Sequence, residues 1–264
     1  MIRFPGLHLF ILVEPIAFTL LGIPIYWYAI CMVCAISVAV LLCLFQKDKF
    51  GITNDFLLES LLIALIFGFI GARLYYVAFH WDEYAYHLGK ILNLRDGGLA
   101  IYGGILLGGF AIFCRCRKQH INALDVFDRI APFVALAQSI GRWGNFFNQE
   151  AYGETTTNFL RMGIDTSGGY LEVHPTFLYE SIATFLIFFI LINLQKQRKF
   201  KGQIADFYLF FYAGIRMLIE PLRMDSLLFQ NFRVSQILSM AIFVVFGSIL
   251  LKKFTKHRTV RHVA

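Results

Sequence analysis

Apolar and polar positions along this chain fall in long blocks rather than alternating residue by residue. Mostly apolar runs cover 22–45, 56–79, 98–114, 124–147, 176–194, 204–221 and 234–251, with shorter polar stretches between them. A helix crossing the hydrocarbon core of a bilayer needs about 20 such residues. The pattern therefore predicts an all-α, polytopic integral membrane protein with about seven transmembrane helices. The third run is short and rich in glycine, which suits a tilted helix or one lying partly within the protein. Ahead of the first run, residues 1–20 are apolar but contain Arg3, Glu14 and Pro15 and lack an A-x-A-like cleavage site. They read as an uncleaved extracytoplasmic arm lying against the membrane rather than as a signal peptide.

The loops give the orientation. Basic clusters follow the first, third, fifth and seventh runs, as in "CRCRKQH" and "QKQRKFK", whereas "HWDEYAYH", "QEAYGETTTNFLRMGIDTSGGYLEVHP" and "PLRMDSLLFQ" fall between. Basic loops are retained in the cytoplasm. The N-terminus is accordingly expected in the periplasm and the C-terminus in the cytoplasm, with a small periplasmic head over about 149–175. The whole chain, 1–264, is read as a single transmembrane domain.

Composition supports this reading, with 58% hydrophobic and 16% charged residues and a mean hydropathy of +0.64. The formal charge of +7 does not point to nucleic acid, because the basic residues sit between apolar runs instead of forming a groove or motif. Five cysteines, Cys31, Cys34, Cys43, Cys114 and Cys116, are an odd number within apolar runs or beside basic clusters, so free thiols are expected. Cys31 and Cys34 have redox-motif spacing but lack the surrounding βαβ pattern.

Against this background, polar residues inside apolar runs stand out. A central Arg costs on the order of 2.5 to 3.5 kcal/mol on insertion scales, so such groups persist where they are paired, wetted or used. "GRWGNFFNQEAYG", residues 141–153, holds Arg142, Asn145, Asn148, Glu150 and Gly153. In "YAGIRMLIEPLR", Arg216 and Glu220 are four residues apart and share a helix face with Tyr212. Arg223 follows at the membrane boundary, where snorkelling would account for it. With Arg73 in "GARLYYVAF", four arginines fall in the outer half of the expected bundle. Guanidinium groups keep their charge and grip phosphate with two prongs, so the cluster suits an anionic head group; ion pairing with helix acids is the alternative. "DGGLAIYGGILLGG", residues 96–109, places Gly103 and Gly104 beside Tyr102. These glycines allow either close helix packing or close approach of a substrate to bare backbone. No His, Cys and Asp cluster has metal-ligand spacing, and neither a metal nor a cofactor is expected.

Together the motifs resemble those of the prolipoprotein diacylglyceryl transferase family. Besides "GRWGNFFNQEAYG" they include "PIYWYAI", "GARLYYV", "GGLAIYGG", "HPTFLYE" and "GIRMLIEPLR", in order through most of the chain. The resemblance implies a multi-pass enzyme of the bacterial cytoplasmic (inner) membrane with seven helices, a small periplasmic head and arms. Its implied partners are phosphatidylglycerol, the lipobox cysteine of a prolipoprotein signal peptide, and the bilayer itself. It also implies that Arg142 holds the donor phosphate, that Asn145, Glu150 and Gly153 occupy further signature positions, and that activity depends on Tyr28. Arg216 and Glu220, with Tyr212 beside them, match the Arg and Glu of the sixth segment. Where some members carry His, this chain has Tyr102 and Tyr26, so an imidazole base is missing at both places.

The implied reaction is attack of the cysteine thiol on the glycerol carbon that carries phosphate, forming a thioether and releasing glycerol 1-phosphate. Arg142 and Arg216 would stabilise the charge gathering on the leaving phosphate, with Asn148 donating a further hydrogen bond. Glu220 would orient Arg216, and Glu150 would do the same for Arg142. Arg73, Gly103, Gly104, Gly153, Tyr212 and Arg223 complete the expected substrate-binding set. The competing readings are a polytopic transporter, against which stands the lack of repeated halves, and a phosphatidylglycerol-binding paralogue without transferase activity.

Overall fold

The computed structural model describes all residues except 47–48, 94–96, 167, 227, 231 and 264. Among the described residues each apolar run forms a long helix: α1 (Trp27–Phe45), α2 (Asn54–Phe79), then, after the short α3 (Trp81–Tyr84), α4 (Ile101–Lys118), α5 (Ala123–Asn148), α6 (Thr176–Lys196), α7 (Gln203–Ile219) and α8 (Val234–Val263). Four of these, α1, α2, α6 and residues Val234–His257 of α8, are long and apolar enough to cross a membrane. The other three fall short for visible reasons. α4 ends in Arg115, Arg117 and Lys118, α5 carries Asp125, Asp128, Arg129 and Arg142, and α7 has 17 residues.

The protein is mostly helical but not all-α, which corrects the sequence reading. β1 (Ile2–Phe4), β2 (Leu9–Ile11), β5 (Met162–Thr166) and β6 (Gly169–Val173) form one sheet in the order β2-β1-β5-β6. β3 (Ile16–Leu20) pairs with β4 (Ile23–Tyr26), and β7 (Leu228–Phe229) with β8 (Phe232–Arg233), as separate hairpins. Residues at the start of the chain and residues of the 149–175 segment thus share a sheet through the Arg3–Gly163 pair. These strands escape an apolar-block reading because they are two to five residues long. Their signal is the alternation of side chains between faces, as in buried Ile2 and Phe4 flanking Arg3.

The chain forms two compact units, one of residues 1–43 with 127–264 and one of residues 44–126. In the first, Ile2, Phe4, Met162, Ile164 and Val173 of the sheet bury against Phe146 of α5 and Phe177 of α6. Burial of aromatic and branched side chains drives this contact. The sheet is thereby seated on the C-terminal end of α5 and the N-terminal end of α6. At the opposite ends of the same helices, Ala131, Ala135, Ile187, Leu191 and Ile204 join α5, α6 and α7. There the buried carboxylate of Asp128 accepts hydrogen bonds from the backbone N–H groups of Gly202, Ile204 and Ala205, at 2.7, 2.8 and 2.9 Å, and pairs with Arg198. It satisfies donors that the first turn of α7 leaves without intrahelical partners.

In the second unit α2 and α4 pack through glycines. A Cβ on Gly103 would lie 2.2 Å from the carbonyl oxygen of Gly71, and one on Gly71 would lie 2.4 Å from that of Gly103. Gly104 meets Gly68 in the same way, at 3.2 Å. Of the two sequence readings for these glycines the structure supports helix packing. The backbone of α2 fills the space that an approaching ligand would need.

Candidate active site

The polar residues of α5, α6 and α7 meet beneath the sheet. Glu180, in the first turns of α6, is 1% exposed. Its Oε1 accepts from Arg142 Nη2 on α5, from Arg216 Nη1 on α7 at 3.4 Å and from the Tyr212 hydroxyl at 3.4 Å. Its Oε2 accepts from Arg216 Nη1 at 3.2 Å and lies 3.7 Å from Arg223 Nη1. Three guanidiniums thus share one buried carboxylate. Charges stay ionised in such a place only when paired and hydrogen-bonded.

The arginines differ in how firmly they are held. Arg216 also donates to Glu220, one helical turn on, as the i, i+4 spacing predicts. Arg223 is clamped by both carboxylate oxygens of Asp225, at 2.9 and 2.6 Å. Burial would push the Asp225 carboxyl up, but its bonds to Arg223 outweigh this and hold it below the usual carboxylate range. Arg142 has no second carboxylate among the described residues. Its Nη1 reaches Asn145 Oδ1 at 3.4 Å, and Asn145 Nδ2 in turn donates to Glu150 Oε1 at 3.0 Å. The acid that directly orients Arg142 is therefore Glu180, not Glu150, which reaches it only through an amide.

The signature glycines have packing roles. Gly144 lets the ring of Tyr28 rest on α5, where an added Cβ would lie 2.8 Å from Tyr28 Cδ2, and Gly141 faces Met32 one turn further along α1. Tyr28 is thereby packed on the stretch of α5 that carries Arg142 and Asn145. Gly153 threads between His174 and Leu222, where a Cβ would be 2.7 Å from each, and pairs across a β-bridge with Arg223. It fixes the start of the loop that carries this arginine. Asn148 has a buried Oδ1 with no hydrogen-bond partner among the described residues. Alongside the cluster, an apolar groove of about 430 Å³ runs between α1, α5 and α6, lined among others by Trp27, Cys31, Cys34, Trp143 and Phe185. All five cysteines are free.

The remaining expected residues belong to the other unit. The guanidinium of buried Arg73 donates to five backbone carbonyls, those of Lys90, Ile91, Asn93, Gly97 and Gly98, at 2.7 to 3.0 Å. It therefore organises the segment before α4. Tyr102 is 38% exposed at the start of α4. Glu180 is the residue that the sequence reading missed. The motif "HPTFLYE" contained it, but no periodic partner marked it out.

Residues 15–252 match the family model for prolipoprotein diacylglyceryl transferase. The chain belongs to this family. Among its relatives is the phosphatidylglycerol--prolipoprotein diacylglyceryl transferase of Finegoldia magna, 43% identical over 244 residues, which span 92% of this chain and 96% of the relative. The enzyme of the same name from Streptococcus sanguinis is 42% identical over 257 residues, 93% of this chain and 98% of its own. That from Enterococcus faecalis is 44% identical over 245 residues, 88% and 87% of the two chains. Family membership agrees with the resemblance drawn from the motifs and with a mostly helical membrane protein.

Proposed function

We propose that this chain transfers the diacylglyceryl group of phosphatidylglycerol to the cysteine thiol of a prolipoprotein, working in the bacterial cytoplasmic membrane with seven spans, N-terminus outside and C-terminus inside. The observation that carries the chemistry is the convergence of Arg142, Arg216 and Arg223 on a single buried carboxylate. Guanidiniums gathered in this way suit an anion with several oxygens that takes one of them from its carboxylate. A phosphate diester takes bidentate guanidinium bonds, and the adjoining groove of α1, α5 and α6 offers an apolar surface to an acyl chain.

In the reaction the cysteine sulfur attacks the glycerol carbon bonded to phosphate. The C–S bond forms, the C–O bond breaks, and its electron pair stays on the phosphate of the departing glycerol 1-phosphate. Negative charge on those oxygens rises in the transition state, where fixed guanidiniums in a water-poor site stabilise it most. The thiol must lose its proton to become a nucleophile. Glu180 and Glu220 are committed to arginines. Glu150 is exposed, with an amide as its partner, and we assign it the proton.

Transfer of labelled diacylglycerol to a reporter prolipoprotein, in cells depleted of their own transferase, tests the activity. Absence of thioether-linked product with well-expressed protein rejects the reading. Topology is tested by reporter fusions after Arg117, Lys199 and Lys256, expected in the cytoplasm, and near Asp82, Asp165 and Asp225, expected outside. A cytoplasmic signal at Asp165 rules out the proposed arrangement.

A further inference from the structure

Glu180 occupies the place that a bound anion would need. The three guanidiniums around it are unequal. Arg216 keeps Glu220 and Arg223 keeps Asp225 whatever happens at Glu180, whereas Arg142 has no carboxylate but Glu180 among the described residues. Arg142 is also the most exposed of the three, with 23% of its side chain accessible against 13% and 12%. If Arg142 turns away, Glu180 still keeps Arg216, Arg223 and the Tyr212 hydroxyl. Both the moving cation and the carboxylate left behind therefore avoid being stranded, which a buried charge does not tolerate.

We propose that Glu180 is the resting counter-ion of Arg142, and that the donor phosphate takes this guanidinium from it while Arg216 and Arg223 stay in place. Glu180 is thus a positioning residue that sets donor affinity by competing for Arg142. The inference rests on reading the arginine cluster as the donor-phosphate site. A ligand that binds only when an internal partner lets go has its apparent affinity reduced by the fraction of molecules that are free. If Glu180 holds Arg142 in about nine molecules of ten, removing the competitor tightens binding about tenfold. It also loosens Arg216 and Arg223, so turnover falls.

The test is a comparison of wild type, Glu180→Gln and Glu180→Asp in detergent–phosphatidylglycerol micelles, reading KM and kcat for transfer together with the constant for inhibition by glycerol 1-phosphate. The KM and the inhibition constant should order as Gln below Asp below wild type, with the Gln variant about five- to tenfold tighter and its kcat reduced. Glu220→Gln leaves the Glu180–Arg142 contact intact and should not tighten either constant. A merely structural Glu180 would lower the active fraction, and hence kcat, without moving KM. If Glu180→Gln does not fold, the Asp variant carries the test through the same split. Unchanged or weakened KM and inhibition constants overturn the counter-ion role. If wild type transfers but Glu180→Gln leaves both constants where they were, this inference alone falls, whereas a wild type that does not transfer overturns the parent reading with it.

Discussion

Arg142 and Arg216, on different helices, donate to the same atom, Oε1 of Glu180. Through that atom α5, α6 and α7 are tied at the end where the sheet covers them. Buried ion pairs add little net stability over apolar packing, but removing one partner is costly. The arrangement is therefore better suited to holding guanidiniums in fixed relation than to strengthening the fold.

Arg142 should be the most sensitive position for transfer. Lysine keeps the charge but loses the planar fork, so Arg142→Lys should be impaired and Arg142→Ala nearly inactive, with a loss of at least about ten- to a hundredfold. Rates are measured on purified, folded protein. A normal rate for Arg142→Ala would remove this residue from the chemistry.

Arg73 should behave differently. Its five carbonyl acceptors lie within residues 90–98, and lysine offers three donors on a flexible stem. Arg73→Lys should lower the thermal unfolding temperature in detergent and leave the KM for lipid unchanged in the surviving folded fraction. A raised KM at unaltered stability would instead make Arg73 a ligand residue.

The glycines of α2 and α4 give a graded steric prediction. Gly71→Ala and Gly103→Ala place a methyl within 2.4 Å of a facing carbonyl oxygen and must push the helices apart, whereas Gly109 has nothing within 4 Å. The first two should destabilise the protein by roughly 1 to 3 kcal/mol, as overpacked sites do, and Gly109→Ala should be near neutral or slightly stabilising. Chemical or thermal unfolding of the three variants decides it.

Tyr102 tests the departure from the family's His. If its hydroxyl takes part in hydrogen bonding during transfer, Phe should be much slower than Tyr, and His should be similar to Tyr. Equal rates for Phe and Tyr at equal protein level would leave the ring with a packing role only.

The helices were legible because twenty-residue apolar runs are a long signal, and Arg216 with Glu220 because their spacing matches one helical turn. The sheet was not, since strands of three to five residues leave little periodic trace, and Arg3 finds Gly163 only in three dimensions. Glu180 was hidden for a related reason. Its partners are on other helices, and a lone acid at the start of an apolar run shows no local pairing. The loop partners of Arg73 were not foreseen because backbone carbonyls leave no mark in a sequence. A buried arginine reads alike whether it serves a phosphate or a loop.

The pairing of β1 with β5 also sets an order of events during biosynthesis. Ile2–Phe4 is made well before its sheet partner, Met162–Thr166, which follows only after α5 is complete. Until then the earliest strand keeps an unpaired edge, and edges of this kind attract wrong neighbours. Contacts between such distant positions also form slowly, because a long loop must close first. The front of the chain is thus among the last parts to settle. An N-terminal extension that interfered with β1 would act on the roof over α5 and α6, and so on arginines far along the chain, rather than on a dispensable tail.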